Sequence, residues 1–215
     1  NNPVFFIDPD GMMAESFGQD DVIITGTQSD EAFNQLQSSV EGQLHLTMHE
    51  SGLISYERTD MNGPLTEAAQ GLMDAIDDHS VISTITAENI NETPEGNIFV
   101  GGAQMGTEIT GPGPIFTVDS KQQVNPTVLG TMDTENGTPG SLVAHETTEA
   151  YQAGKITQQS GKSVGPATNA DESNPQSNYS RAHSAASPQT SEYKTIRYDA
   201  KGNVLPPGTG TATRA

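Results

Sequence analysis

A chain of 215 residues is long enough to bury a real core, and its 9 basic and 28 acidic side chains give a formal charge of −19. Such a surface repels phosphate backbones and anionic lipid, so nucleic acid and membrane surfaces are not expected partners. There is no cysteine, which leaves His, Asp, Glu or water to hold any metal, and no apolar run is long enough to span a bilayer.

At the start, Val4-Phe5-Phe6-Ile7 reads as a short buried strand closed by the turn Pro9-Asp10-Gly11. Asn2-Pro3-Val4 followed by Ile7-Asp8-Pro9-Asp10-Gly11-Met12 resembles the end of the core of RHS-repeat proteins. In that family the core forms a shell around a variable C-terminal domain, often a toxin, and an Asp-Pro-x-Gly-hydrophobic junction separates the two. The resemblance implies that residues 1–13 close such a core and that the chain is a piece of a longer protein. It also implies a bacterial, secreted or cell-surface setting, with the RHS shell of the parent chain and an immunity protein as partners. Asp8 and Asp10 lack the further acidic residues of a calcium loop and read as turn residues.

Residues 14–200 are expected to form the folded unit. Val22-Ile23-Ile24-Thr25 suits a strand, and Ser29 starts a helix through Val40 with Phe33, Leu36 and Val40 on one face. Residues 44–49 and 53–58 alternate apolar and polar around Ser51-Gly52, a hairpin that places His45 and His49 on its polar face. Residues 65–78 carry a helical stripe of Leu65, Leu72 and Ile76, with Thr66 before an acidic first turn. His79 then falls in the turn before a β-branched strand over 81–87. Residues 88–140 are rich in Gly and Pro and read as long loops with short strands at 98–100 and 115–118.

Thr138-Pro139 predicts a helix start, running to about Gly154 or slightly beyond. Asn174-Pro175 predicts another, stopped near Ser187 by Pro188. Residues 192–199 suit a last strand, and 201–215 a loose tail. The expected class is α+β: a small, mainly antiparallel sheet with packed helices and a C-terminal helical pair.

The first of that pair carries the chemistry. His145 and Glu149 are one turn apart and face the same way, on a stripe shared with Leu142, Ala153 and Ile156. A carboxylate on an apolar stripe needs a partner, and a divalent ion shared with His145 would supply one. His145-Glu146-Thr147-Thr148-Glu149 resembles the His-Glu-x-x-His zinc motif, with Glu149 in place of the second His. Carboxylate is an acceptable zinc ligand. In the second helix, packing of Tyr179, Ala182 and Ala186 against the first would aim His183 towards the pair. That is the zincin arrangement, and the resemblance implies its chemistry. Zinc held by His145, Glu149 and His183 would activate water, with Glu146 as general base and Tyr179, or alternatively Tyr151, as oxyanion donor. The expected activity is a metallopeptidase-like toxin domain acting on protein or peptide substrates. The rival readings are a non-catalytic binding or structural domain of an RHS protein, with Glu149 paired to Arg181 or Lys155, and a different hydrolase such as a nuclease, which the charge disfavours.

Overall fold

The computed structural model describes residues 21–94, 96, 99–110 and 117–189. The expected junction strand in residues 1–13, the strand at 192–199 and the tail at 201–215 lie outside the described residues.

The chain is α+β. β1 (Val22–Thr25), α1 (Ser29–Ser39), β2 (Leu44–Met48), β3 (Ile54–Arg58), α2 (Glu67–Asp77) and β4 (Val81–Ala87) follow in order. β5 (Gly102–Thr110), β6 (Thr117–Val124), α3 (Pro126–Asn136), α4 (Ser141–Ser160), α5 (Asn169–Glu172) and α6 (Asn178–Ala185) complete the described chain. A four-stranded sheet has the order β1-β4-β6-β5, and β2-β3 form a separate hairpin. Among the described strands, β2-β3 and β5-β6 pair antiparallel, while β1-β4 and β4-β6 run parallel. The parallel β1-β4 pair follows from connectivity: α1 and α2 separate the two strands, giving the chain room to cross over before it returns alongside.

β4 alternates strictly, with Val81, Ser83, Ile85 and Ala87 buried. α2 begins where Thr66 accepts a hydrogen bond from the Ala69 backbone N–H, and Ala69, Leu72 and Ala75 are buried along it. Burial of a Leu of this kind contributes about 1.5–3 kcal/mol.

α4 is the hub of the molecule. It buries 13 of its 20 residues and touches β4, β5 and β6 as well as α1, α2, α3 and α6. A helix in contact on so many sides must be apolar or small nearly all round, which its Ala, Gly and Thr content satisfies. It starts at Ser141, three residues after the expected cap at Thr138. The reason is non-local. Asp133 of α3 accepts hydrogen bonds from the Leu142 N–H (3.2 Å) and the Thr138 hydroxyl (3.3 Å), so another helix caps α4. α4 also outruns Gly154. A Cβ there would meet Val81 Cγ1 at 2.3 Å, so Gly154 is a close-packing point against β4 and does not end the helix. Gly161, at φ +66°, ends it in the left-handed region.

After α4 the chain runs along the outer edge of β5. Val164 and Thr107 exchange both backbone hydrogen bonds (3.0 and 2.9 Å), and Ala167 N–H reaches Gln104 O at 3.0 Å. This covers much of the free edge and carries the chain to α6. α6 is capped by Ser177, not at Asn174-Pro175. It lies on α4 through Asn178, whose side-chain amide donates to Ala153 O (3.1 Å) and Thr157 Oγ1 (2.9 Å). α4 and α6 are the C-terminal helical pair. Among the described residues no helix is long and apolar enough to cross a membrane.

Candidate metal centre

The i,i+4 spacing on α4 brings His145 and Glu149 side by side, and α6 delivers His183 to the same point. His145 Nε2 lies 3.4 Å from Glu149 Oε2, His183 Nδ1 lies 2.7 Å from that oxygen, and the two ring nitrogens are 3.1 Å apart. These three residues form a group able to hold a metal ion. Donor atoms around a tetrahedral zinc at about 2.0–2.1 Å are themselves about 3.3 Å apart, close to the separations seen.

The surroundings fix the donors. His145 Nδ1–H donates to the Ser187 carbonyl at 2.7 Å, leaving the Nε2 lone pair facing Glu149 and His183. Ser187 is itself tied to α4, its N–H donating to Thr148 Oγ1 at 2.9 Å. His145 and Glu149 are 3% and 1% exposed, so their charges and lone pairs are shielded from water. His183 is exposed on its outer side. Burial alone pushes the Glu149 carboxyl up, but the neighbouring His145 and His183 imidazoles outweigh it and hold the group below its ordinary value. The hydrogen bond to Glu149 in turn raises His183, against the opposing effect of its burial. The Nδ1 proton of His183 thus points into a space bounded by two acceptors, His145 Nε2 and Glu149 Oε2. A divalent ion suits such a space once the proton leaves.

Glu146 sits beside the triad on α4. Burial and the neighbouring Glu149 charge push its carboxyl up to about 7, against the lowering effects of His145, Gln122 and His183. Its carboxyl group rests on Gly102 of β5, where a Cβ would lie 2.1 Å from Glu146 Cδ. Tyr179 stacks on the His183 ring, with centroids 5.6 Å apart and an interplanar angle of 29°. Burial and the Glu149 and Glu146 charges raise its phenol well above the ordinary value, so it remains a donor at neutral pH. Gly102 and Tyr179 both line a groove of about 640 Å³ whose lip carries Val100, 73% exposed.

The other sequence candidates lie elsewhere. Tyr151, the alternative oxyanion donor, gives its O–H to Asp78 Oδ2 at 3.0 Å, and Lys155 binds the same oxygen at 2.6 Å and not Glu149. His45 is exposed opposite Glu57 in the β2-β3 hairpin, His49 contacts Ser55 Oγ at 3.0 Å, and His79 pairs with Asp21. Besides Gly102, two residues of the centre carry no sequence signal. Ser187 acts through its carbonyl, which no side-chain pattern reveals. Gln122 reaches in from β6, donating to Glu146 Oε2 and, at 3.4 Å, to Glu149 Oε1.

Compared with protein-family models, curated proteins and solved structures, the chain matches none.

Proposed function

We propose that the chain is a zinc-dependent, metallopeptidase-like toxin or effector domain that hydrolyses peptide bonds, carried at the C-terminus of an RHS-type protein. The observation that carries the reading is the convergence of His145 Nε2, Glu149 Oε2 and His183 Nδ1 within 3.4 Å of one another, with His145 and Glu149 buried. Two imidazoles and one carboxylate make a donor set suited to zinc, and the single charge of Glu149 suits an ion that needs neutral ligands besides.

Zinc in this position would supply Lewis acidity to a water and to a substrate carbonyl. Glu146 takes the proton from the attacking water and returns it to the leaving amine. A carboxyl group held near 7 can do both at neutral pH. Tyr179, protonated and stacked on His183, offers its O–H to the developing oxyanion. The Ser187 carbonyl keeps the His145 tautomer in which Nε2 is free. A peptide would lie in the groove lined by Gly102 and Tyr179, with an apolar side chain against Val100. The RHS-type junction in residues 2–12 supports a secreted or surface-exported bacterial parent with a cognate immunity protein.

Elemental analysis of the purified protein tests the site. One equivalent of zinc is expected, lost in His145→Ala and Glu149→Ala, each weakening affinity by more than the roughly 10–100-fold typical of outer-shell changes. Glu146→Gln is expected to keep the metal while peptide hydrolysis falls about 10²–10⁴-fold. A protein without stoichiometric metal whose fold ignores all three changes would instead be a non-catalytic module.

A further inference from the structure

We propose that Gln122 is the positioning residue of this centre, a sheet-borne clamp whose one side-chain amide holds both carboxylates of α4 in their working orientations. The proposal rests on the metal-site reading but has its own observations. Gln122 lies on β6, one strand in from the sheet edge, and is 1% exposed. Its Nε2 carries two protons, and it has two carboxylate acceptors, Glu146 Oε2 and Glu149 Oε1. The second bond, at 3.4 Å, leaves Glu149 Oε2 for the two imidazoles. Glu146 is confined from the other side by Gly102, where there is no room for a methyl group. Gln122 therefore decides which oxygen of Glu149 faces the triad, and it keeps Glu146 beside the triad.

The other end of the amide supports this. Gln122 Oε1 is buried without a hydrogen-bond partner among the described residues. A buried carbonyl left unpaired is costly, and a side chain needed only for volume would do better as Met or Leu. Flipping the amide would set Oε1 against the ionised Glu149 and lose the bond to it. The donor end is thus the reason for the residue.

The test uses the full chain. Gln122→Met keeps the length and removes the donor. Titration with Co²⁺, followed by its visible absorption, should show affinity reduced about 10–100-fold and an altered band shape, while the melting temperature shifts little. Unchanged Co²⁺ affinity and band shape in Gln122→Met would overturn the proposal. A second readout needs no metal. In the metal-free protein, the Gln122 side-chain amide resonances, assigned by their loss in Gln122→Met, should shift in both Glu146→Gln and Glu149→Gln. If neither variant moves them, the clamp does not exist. Shifted amide resonances in a protein that takes up no Co²⁺ would support the clamp and sink the metal reading, so the two failures are distinguishable.

Discussion

Glu149 has 1% of its surface exposed, and Glu146 presses its carboxyl group onto a strand backbone. Two carboxylates in such surroundings are costly unless each has defined partners. The partners divide them. Glu149 faces His145 and His183 and stays ionised, while Glu146 faces Gln122 and Gly102 and sits near neutrality. Gly102 therefore bears directly on the chemistry. Gly102→Ala should displace Glu146 without touching the triad. Zinc content should stay at the wild-type level while hydrolysis falls by about 100-fold, as a displacement of about 1 Å at a reacting group can cause. Metal content and turnover measured on the same sample decide it, and loss of zinc along with activity would show that Gly102 serves the whole site. The triad was legible in the sequence because His145 and Glu149 repeat at helical spacing and His183 falls on the next helix. Gln122, Ser187 and Gly102 were not, since each acts across the fold through an amide, a carbonyl or a missing Cβ.

Secondary structure was hardest to read near the centre. β6 reads Thr-Val-Asp-Ser-Lys-Gln-Gln-Val, and its buried positions include Ser120 and Gln122. A strand whose inward side chains are polar loses the alternation that identifies strands, so the sequence shows only short strands at 98–100 and 115–118 between long loops, the second overlapping the start of β6 and neither reaching β5. α3 carries a local start signal, Asn125 as cap, accepting from Val128 N–H, and Pro126 in the first turn. Elsewhere the periodicity was clean, and β1, the β2-β3 hairpin, α2 and β4 fall where expected. One ion pair also binds elements together. Asp78, at the end of α2, meets Lys155 and Tyr151 of α4. Burial pulls Asp78 up, but hydrogen bonds from Lys155, Ser80 and Tyr151 prevail and hold it at about 2, below its ordinary 3.8. A depressed carboxyl contributes stability above its unfolded value and loses it as pH falls through the folded one. The loss should therefore run from about pH 4 down to about pH 2, on the order of 1 kcal/mol after solvent screening. Lys155→Met should remove the Lys155 share of that acid dependence, leaving the share of Ser80 and Tyr151. Thermal midpoints of both proteins from pH 6 to pH 2 test it, because the general relief of charge repulsion in acid is nearly common to the two. Parallel curves would mean that the pair does not link α2 to α4.

For the whole molecule, the question is what keeps α6 in place. The main core gathers side chains from β1, α1, the hairpin, α2, β4, β6, α3 and the first part of α4, whereas α6 rests on a separate cluster of Ala153, Ile156 and Ala182. Ala182 is the one residue of α6 that is fully buried. So small an apolar contact gives little docking energy, and Asn178, the Ser187 link and the His183–Glu149 pair supply much of the rest. An ion bridging α4 and α6 would add to precisely this weak attachment, so zinc should act as a local staple. Zinc at about 100 times its dissociation constant would stabilise the docked state by about 2.7 kcal/mol and lower the open population about 100-fold. In chelator, limited proteolysis should therefore cut first between residues 161 and 189. Saturating zinc should slow that cut by about the same factor when reclosing outpaces cleavage. His145→Ala, which also loses the bond to the Ser187 carbonyl, should be cut at least as fast as the unaltered chain in chelator, and at one rate whether or not zinc is added. Equal cleavage rates with and without zinc in the unaltered chain would mean that α6 docks by its own contacts and that His183 binds no ion.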